Sequence, residues 1–257
     1  MQKNLMNFYS SGILPYHFID KGIAFLFERK SDDYVPPFFN NSLGLLGGNR
    51  GNTEDKSPEE VLERELKEEF HILEEGKESL NELIGQGILQ EEEHAPRILN
   101  YDKGTIEDIK RMPSVLLEGK VYTESYFVRF FPPLGGIEKE VKGIESVFTK
   151  KLSHEEYLFI AGLLKKTNGR ITTDNLKFGG KTLFASLEEI NDNRYKFSWC
   201  IDQIIRDLLK KGKIPVPPGY PIAIRSLDGI EIESIPTTEN PRFREFENMG
   251  LTYERSK

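Results

Sequence analysis

A single cysteine, Cys200, stands in the 257 residues, so no internal disulfide is possible and no cysteine-based zinc site can be assembled. Long apolar runs are missing too: no stretch approaches the roughly 18 residues that a membrane span needs. The opening residues 1–7 (MQKNLMN) carry no secretory apolar segment, and a cytoplasmic location with no membrane contact is the expectation. Basic surplus is lacking as well. The net charge is −7, so no nucleic-acid polymer is expected as a partner, and any phosphate chemistry calls for a helping cation. Repeats and low-complexity tracts are absent, which excludes solenoids and arrays.

What is present suffices for a core. Hydrophobic residues make up 37% and include 17 Phe and 10 Tyr, too much bulky apolar material for a disordered chain. The pattern divides into a main domain, residues 1–212, and a proline-rich tail, 213–257, whose segment Pro215 to Pro221 reads as a linker or an extended arm against the domain. Residues 22–29 (GIAFLFER) and 121–131 (VYTESYFVRFF) read as strands, the second stopped by Pro132 and Pro133. A further strand is expected over 82–89, irregular chain over 91–117, and capped amphipathic helices over 153–166 and 186–211. Mixed strands and helices imply an α/β or α+β fold.

The most informative segment follows the glycine-loaded loop SLGLLGGNRGNTEDK. Ser57 can cap a helix, Pro58 suits its first turn and Glu60 completes a capping box, so a helix should run to about Phe70. With Val61 at zero and about 100° per residue, Leu62, Leu66 and Phe70 fall at about 100°, 140° and 180°, the buried side. Glu65 falls at about 40° and Glu69 at about 80°, inside that apolar stripe, with Glu68 on its edge at about 340°. Glu60, Glu63, Arg64 and Lys67 lie opposite. A Glu/Lys/Arg-rich helix is ordinarily just a solvated surface. Here, however, inward carboxylates incur desolvation and mutual repulsion, and a bound hard cation such as Mg²⁺ or Mn²⁺ relieves both.

The run GGNRGNTEDKSPEEVLERELKEEFHI resembles the signature of the Nudix hydrolases: Gly, five residues, Glu, seven residues, then Arg-Glu-apolar-any-Glu-Glu-any-Gly-apolar. Gly48, Glu54, Arg64, Glu65, Leu66, Glu68, Glu69 and Ile72 match. Nine residues separate Glu54 from Arg64 where the family has seven, which leaves the part of Glu54 open, and His71 stands at the usual glycine. The resemblance spans approximately residues 48–72.

It implies an αβα sandwich around a mixed β-sheet and a metal-dependent hydrolase that cleaves the diphosphate linkage of a nucleoside diphosphate joined to another moiety, ADP-ribose or a nucleotide sugar being the best guess. Glu65, Glu68 and Glu69 would hold Mg²⁺ or Mn²⁺, Arg64 would orient them through a salt bridge, and Gly47 and Gly48 would shape the preceding loop. A further carboxylate is expected from Glu138, Glu140 or Glu145. A homodimer is common among such proteins. The alternative is a Nudix-like module that binds a nucleotide without hydrolysing it, as a sensor or interaction domain.

His17, His71, His94 and His154 are dispersed, without metal-site spacing. His94 beside Arg97 is a candidate phosphate contact on a loop. Residues 177–181 (KFGGK) lack the spacing of a phosphate-binding Walker loop and read as a turn. Phe38, Phe39, Tyr126 and Phe131 are better explained as packing than as base-stacking platforms.

Overall fold

The computed structural model describes residues 7–20, 22–34, 39–50, 54–70, 101–130, 141–198 and 201–224. Its backbone is a mixed sheet with helices on both faces, the α+β arrangement expected from the sequence. The organising strand is β1 (Asn7–Ile19), long enough to serve several neighbours. On one side it runs parallel to β6 (Val141–Lys151), which pairs in turn with the antiparallel β5 (Val121–Phe130). On the other side its length is shared. Ser10 to Ile13 pair with β4 (Leu46–Asn49), and Tyr16 to Ile19 pair with β2 (Gly22–Arg29). Strand β2 then carries β3 (Leu43–Gly44) and β7 (Lys181–Ser186), both antiparallel.

Strand parity distributes the core. Leu14, Tyr16, Phe25 and Phe27 face one apolar layer, covered by α5 (Leu187–Asn191) and α6 (Ile201–Lys210). Ile13, Leu26, Leu46 and Phe148 face the other, where α1 (Pro58–Glu69), α2 (Lys103–Leu117) and α3 (His154–Thr167) pack. Helix α1 buries Val61, Leu62 and Leu66, as its wheel required, and starts at Ser57, whose hydroxyl accepts from the Glu60 amide at 3.3 Å. The Glu60 carboxylate reaches back to the Lys56 amide at 2.8 Å, one residue short of a full capping box.

Two expectations change. Residues 103–117 are helical, not irregular, with Ile106, Ile109, Met112 and Leu116 buried. Pro113 and Gly104 disguised this helix; a proline deletes one backbone bond, and the burial of the apolar face outweighs that loss. The Lys150 ammonium donates to the carbonyls of Val115 at 2.6 Å and of Glu118, tying down the helix end. Residues 186–211 are two helices. Asn193 adopts a left-handed φ of 53°, and the backbone of 196–198 leaves the helix to bond Leu43: the Leu43 amide donates to Lys196 at 2.8 Å, and the Ser198 amide donates to Leu43 at 3.0 Å. Sheet-edge hydrogen bonds thus replace helical ones.

Residues 213–224 run as an extended arm packed against the rest of the sheet layer. Ile214 is fully buried, and the Tyr220 hydroxyl donates to the carbonyls of Ile19 and, at 2.9 Å, Gly22. Of residues 177–181, expected as a turn, 177–178 end α4 (Thr173–Phe178), Gly179 caps it at a left-handed φ of 69°, and Lys181 opens β7. The strand expected over 82–89 lies outside the described residues. No described helix is long and apolar enough to cross a membrane.

Candidate metal centre

Four elements converge at the C-terminal end of α1. Glu65 and Glu69, one turn apart, face the sheet; Glu69 is 8% exposed and Glu65 half-buried. Glu28, next to last in β2, shares the strand face of Leu26 by two-residue parity and therefore points at the same helix layer. Asp174 lies in the first turn of α4, and this short helix is docked end-on. The Thr173 hydroxyl approaches the carbonyls of Glu68 at 2.9 Å and Glu69 at 2.8 Å, groups that a helix terminus leaves without internal partners. Behind it the buried Asn175 side-chain oxygen accepts from Thr172 N at 3.1 Å, Ile171 N at 3.3 Å and the Thr182 hydroxyl at 3.0 Å, locking α4 to β7.

The result is a group of three carboxylates, Glu28, Glu69 and Asp174, whose oxygens lie within 4.8 Å of one another. That limit is close to the ~4.2 Å that separates opposite ligands of a Mg²⁺ ion at about 2.1 Å. Glu69 Oε1 receives a long 3.4 Å hydrogen bond from the Gly47 amide, and its buried Oε2 has no hydrogen-bond partner among the described residues. A buried carboxylate oxygen with no donor is costly, and a cation is the species that would satisfy it. Donor chemistry, spacing and the orphaned oxygen all fit a hard divalent ion.

Electrostatics point the same way. Burial, followed by the charges of Glu28 and Asp174, pushes the Glu69 carboxyl well above the usual glutamate range. Burial also raises Glu65 against the opposing pull of Arg64, and raises Glu28 against that of Lys30. For Lys30 burial favours the neutral amine, but Glu28 outweighs it and the ammonium is held more firmly than usual.

Arg64 joins Glu65 and Glu68 as expected of an orienting residue, with Nη1 at 2.8 Å from Glu65 Oε1 and 3.1 Å from Glu68 Oε2. It is itself anchored by Asp55 at 2.8 Å and by the Asn49 carbonyl at 3.0 Å. Glu68 is 62% exposed on the outer edge of α1 and is not part of the three-carboxylate group. Glu65 stands beside that group, within electrostatic reach of Glu69 and Asp174.

The two glycines differ in task. Gly47 holds φ at +133°, and a Cβ there would sit 2.2 Å from the Ser11 carbonyl oxygen. A Cβ on Gly48 would fall 2.2 Å from Glu65 Oε2, so its hydrogen makes room for that carboxylate. Glu54 is exposed. His71, His94, Glu138 and Glu140, like the Glu145 side chain, lie outside the described residues, as do 51–53 and 71–72 of the signature region.

Sequence reasoning missed Glu28, Asp174, Lys30 and Asp55. For Glu28 a signal existed: in GIAFLFER the charge sits two residues after Leu26, on a strand face whose other side chains, Ala24 and Leu26, are apolar. For Asp174 there was none, because its proximity depends on α4 docking more than 100 residues downstream of α1.

No protein-family model matches the chain, and no characterised protein matches it in sequence. Among solved structures, the chain is similar to Shewanella oneidensis NrtR complexed with a 27mer DNA, at 12% identity and a TM-score of 0.39, over 84% of this chain and 68% of that one. It is also similar to the NUDIX domain of Shewanella oneidensis NrtR complexed with ADP ribose, at 11% identity and a TM-score of 0.39, over 80% of this chain and 88% of that one.

Proposed function

We propose that this protein is a divalent-cation-dependent hydrolase that cleaves the diphosphate linkage of a nucleoside diphosphate joined to a further group. The observation that carries the reading is the partnerless Glu69 Oε2 inside the Glu28, Glu69 and Asp174 group, on the helix whose sequence resembles the Nudix signature. Glu28, Glu69 and Asp174, with Glu65 alongside, would hold Mg²⁺ or Mn²⁺. When bound, such an ion neutralises diphosphate oxygens and acidifies water.

The chain's own residues account for the remaining work. Glu65, whose carboxyl burial raises above the ordinary glutamate value, is a suitable proton acceptor for an attacking water. Arg64 fixes the Glu65 carboxylate from one side, and the missing side chain of Gly48 lets it lie close to β4. Glu68 shares Arg64 and keeps its fork from closing on Glu65 alone.

The test is hydrolysis of ADP-ribose, nucleotide sugars and related diphosphates with Mg²⁺ or Mn²⁺ by the wild type, Glu65→Gln and Glu69→Gln. Turnover should fall at least a hundredfold in both variants. Undiminished turnover in both would sink the proposal. Stabilisation of the wild type by a nucleotide that it never hydrolyses would favour the binding-only alternative.

A further inference from the structure

Lys30 follows β2 by one residue, and its ammonium is bonded to Glu28 Oε2 with the Lys30 side chain only 16% exposed. Its stem passes Gly44, where a Cβ would come within 3.5 Å of the Lys30 Cε, and its head lies 5.1 Å from the Tyr34 ring centre. Lys30 is thereby held at the edge of the carboxylate group, and its charge acts on Glu69 and Asp174 as well as on Glu28.

We propose that Lys30 is a resident counter-ion that restricts the Glu28, Glu69 and Asp174 centre to a single divalent cation. The inference rests on the cation-binding reading above. With Glu65 already paired to Arg64 at 2.8 Å and the three carboxylates ionised, one ammonium leaves two negative charges, the charge that one divalent ion balances. A second ion would have to share Glu28 with Lys30 and would meet an uncompensated positive charge at contact range, where each unit charge is worth many-fold in affinity. The partnerless, buried Glu69 Oε2 marks where the first ion belongs. Lys30 is therefore a positioning residue: it acts through Glu28 and the local field, not through contact with substrate.

The test is titration of the 257-residue chain with Mn²⁺, following free Mn²⁺ by electron paramagnetic resonance. The wild type should bind one tight equivalent, which Glu69→Gln abolishes. Lys30→Met and Lys30→Gln, the latter retaining a hydrogen-bond donor for Glu28, should bind the first ion about tenfold or more tightly and admit a second. Lys30→Arg should behave as wild type. A merely structural lysine would change melting temperature without changing stoichiometry. Two tight equivalents in the wild type overturn the inference even if the neutral variants do not fold, as does unchanged Mn²⁺ binding in a folded Lys30→Met or Lys30→Gln. A wild type that binds no Mn²⁺, or binds it undisturbed by Glu69→Gln, overturns the cation centre itself.

Discussion

The Thr173 hydroxyl lies 2.8 Å from the Glu69 carbonyl oxygen, so the residue that carries the orphaned carboxylate is fastened through its backbone to the helix that carries Asp174. Removing only the hydroxyl, in Thr173→Val, should cost about 1 kcal/mol of stability by chemical denaturation. Divalent-ion affinity should fall further, by severalfold, because Asp174 loses its register against Glu69. An unchanged ion titration would show that the docking contact has no bearing on the centre.

Neighbouring glycines should fail in different ways. Gly47→Ala forces a side chain onto the Ser11 carbonyl at a left-handed φ and should lose about 2–4 kcal/mol of folding stability. Gly48→Ala displaces the Glu65 carboxylate, a flexible group, so stability should drop less and turnover at least tenfold. Paired melting and kinetic measurements separate the two; equal losses in both assays would contradict the division.

Glu69→Gln removes a buried negative charge that Glu28 and Asp174 repel. In EDTA its melting temperature should equal or exceed that of the wild type by a few degrees, about 2–4 °C. Added Mg²⁺ should raise the wild type and leave the variant unmoved. A variant that gains as much from Mg²⁺ as the wild type would remove Glu69 from the centre.

Acidity provides a further check. Glu69, Glu65 and Glu28 have carboxyls raised above the ordinary 4.5, which means that folding favours their neutral forms. Their contribution to stability is full below 4.5 and is lost as pH rises through the raised values. A divalent ion prefers the ionised forms, so the thermal gain from Mg²⁺ over EDTA should be larger at about pH 8 than at about pH 5. A gain that is flat or reversed between those values would exclude ionisation of these groups on binding.

By itself the sequence determined the segments whose local and tertiary preferences agree. Residues 22–29 and 121–130 are strands and 58–69 a capped helix because apolar period, cap and breaker all favour the same element. The inward placement of Glu65 and Glu69 followed from helical geometry alone, and so did the outward edge occupied by Glu68. Tertiary structure decided the rest. Pro113 sits in a helix because its apolar face and Lys150 hold it there, and residues 196–198 leave a helix because Leu43 offers sheet bonds. Above all, no spacing announced that Glu28, Asp174 and Lys30 would meet Glu69. Their electrostatic coupling falls with distance in space, not in sequence: the packing of α1 on β2 brings Glu28 and Lys30 to Glu69, and the docking of α4 adds Asp174.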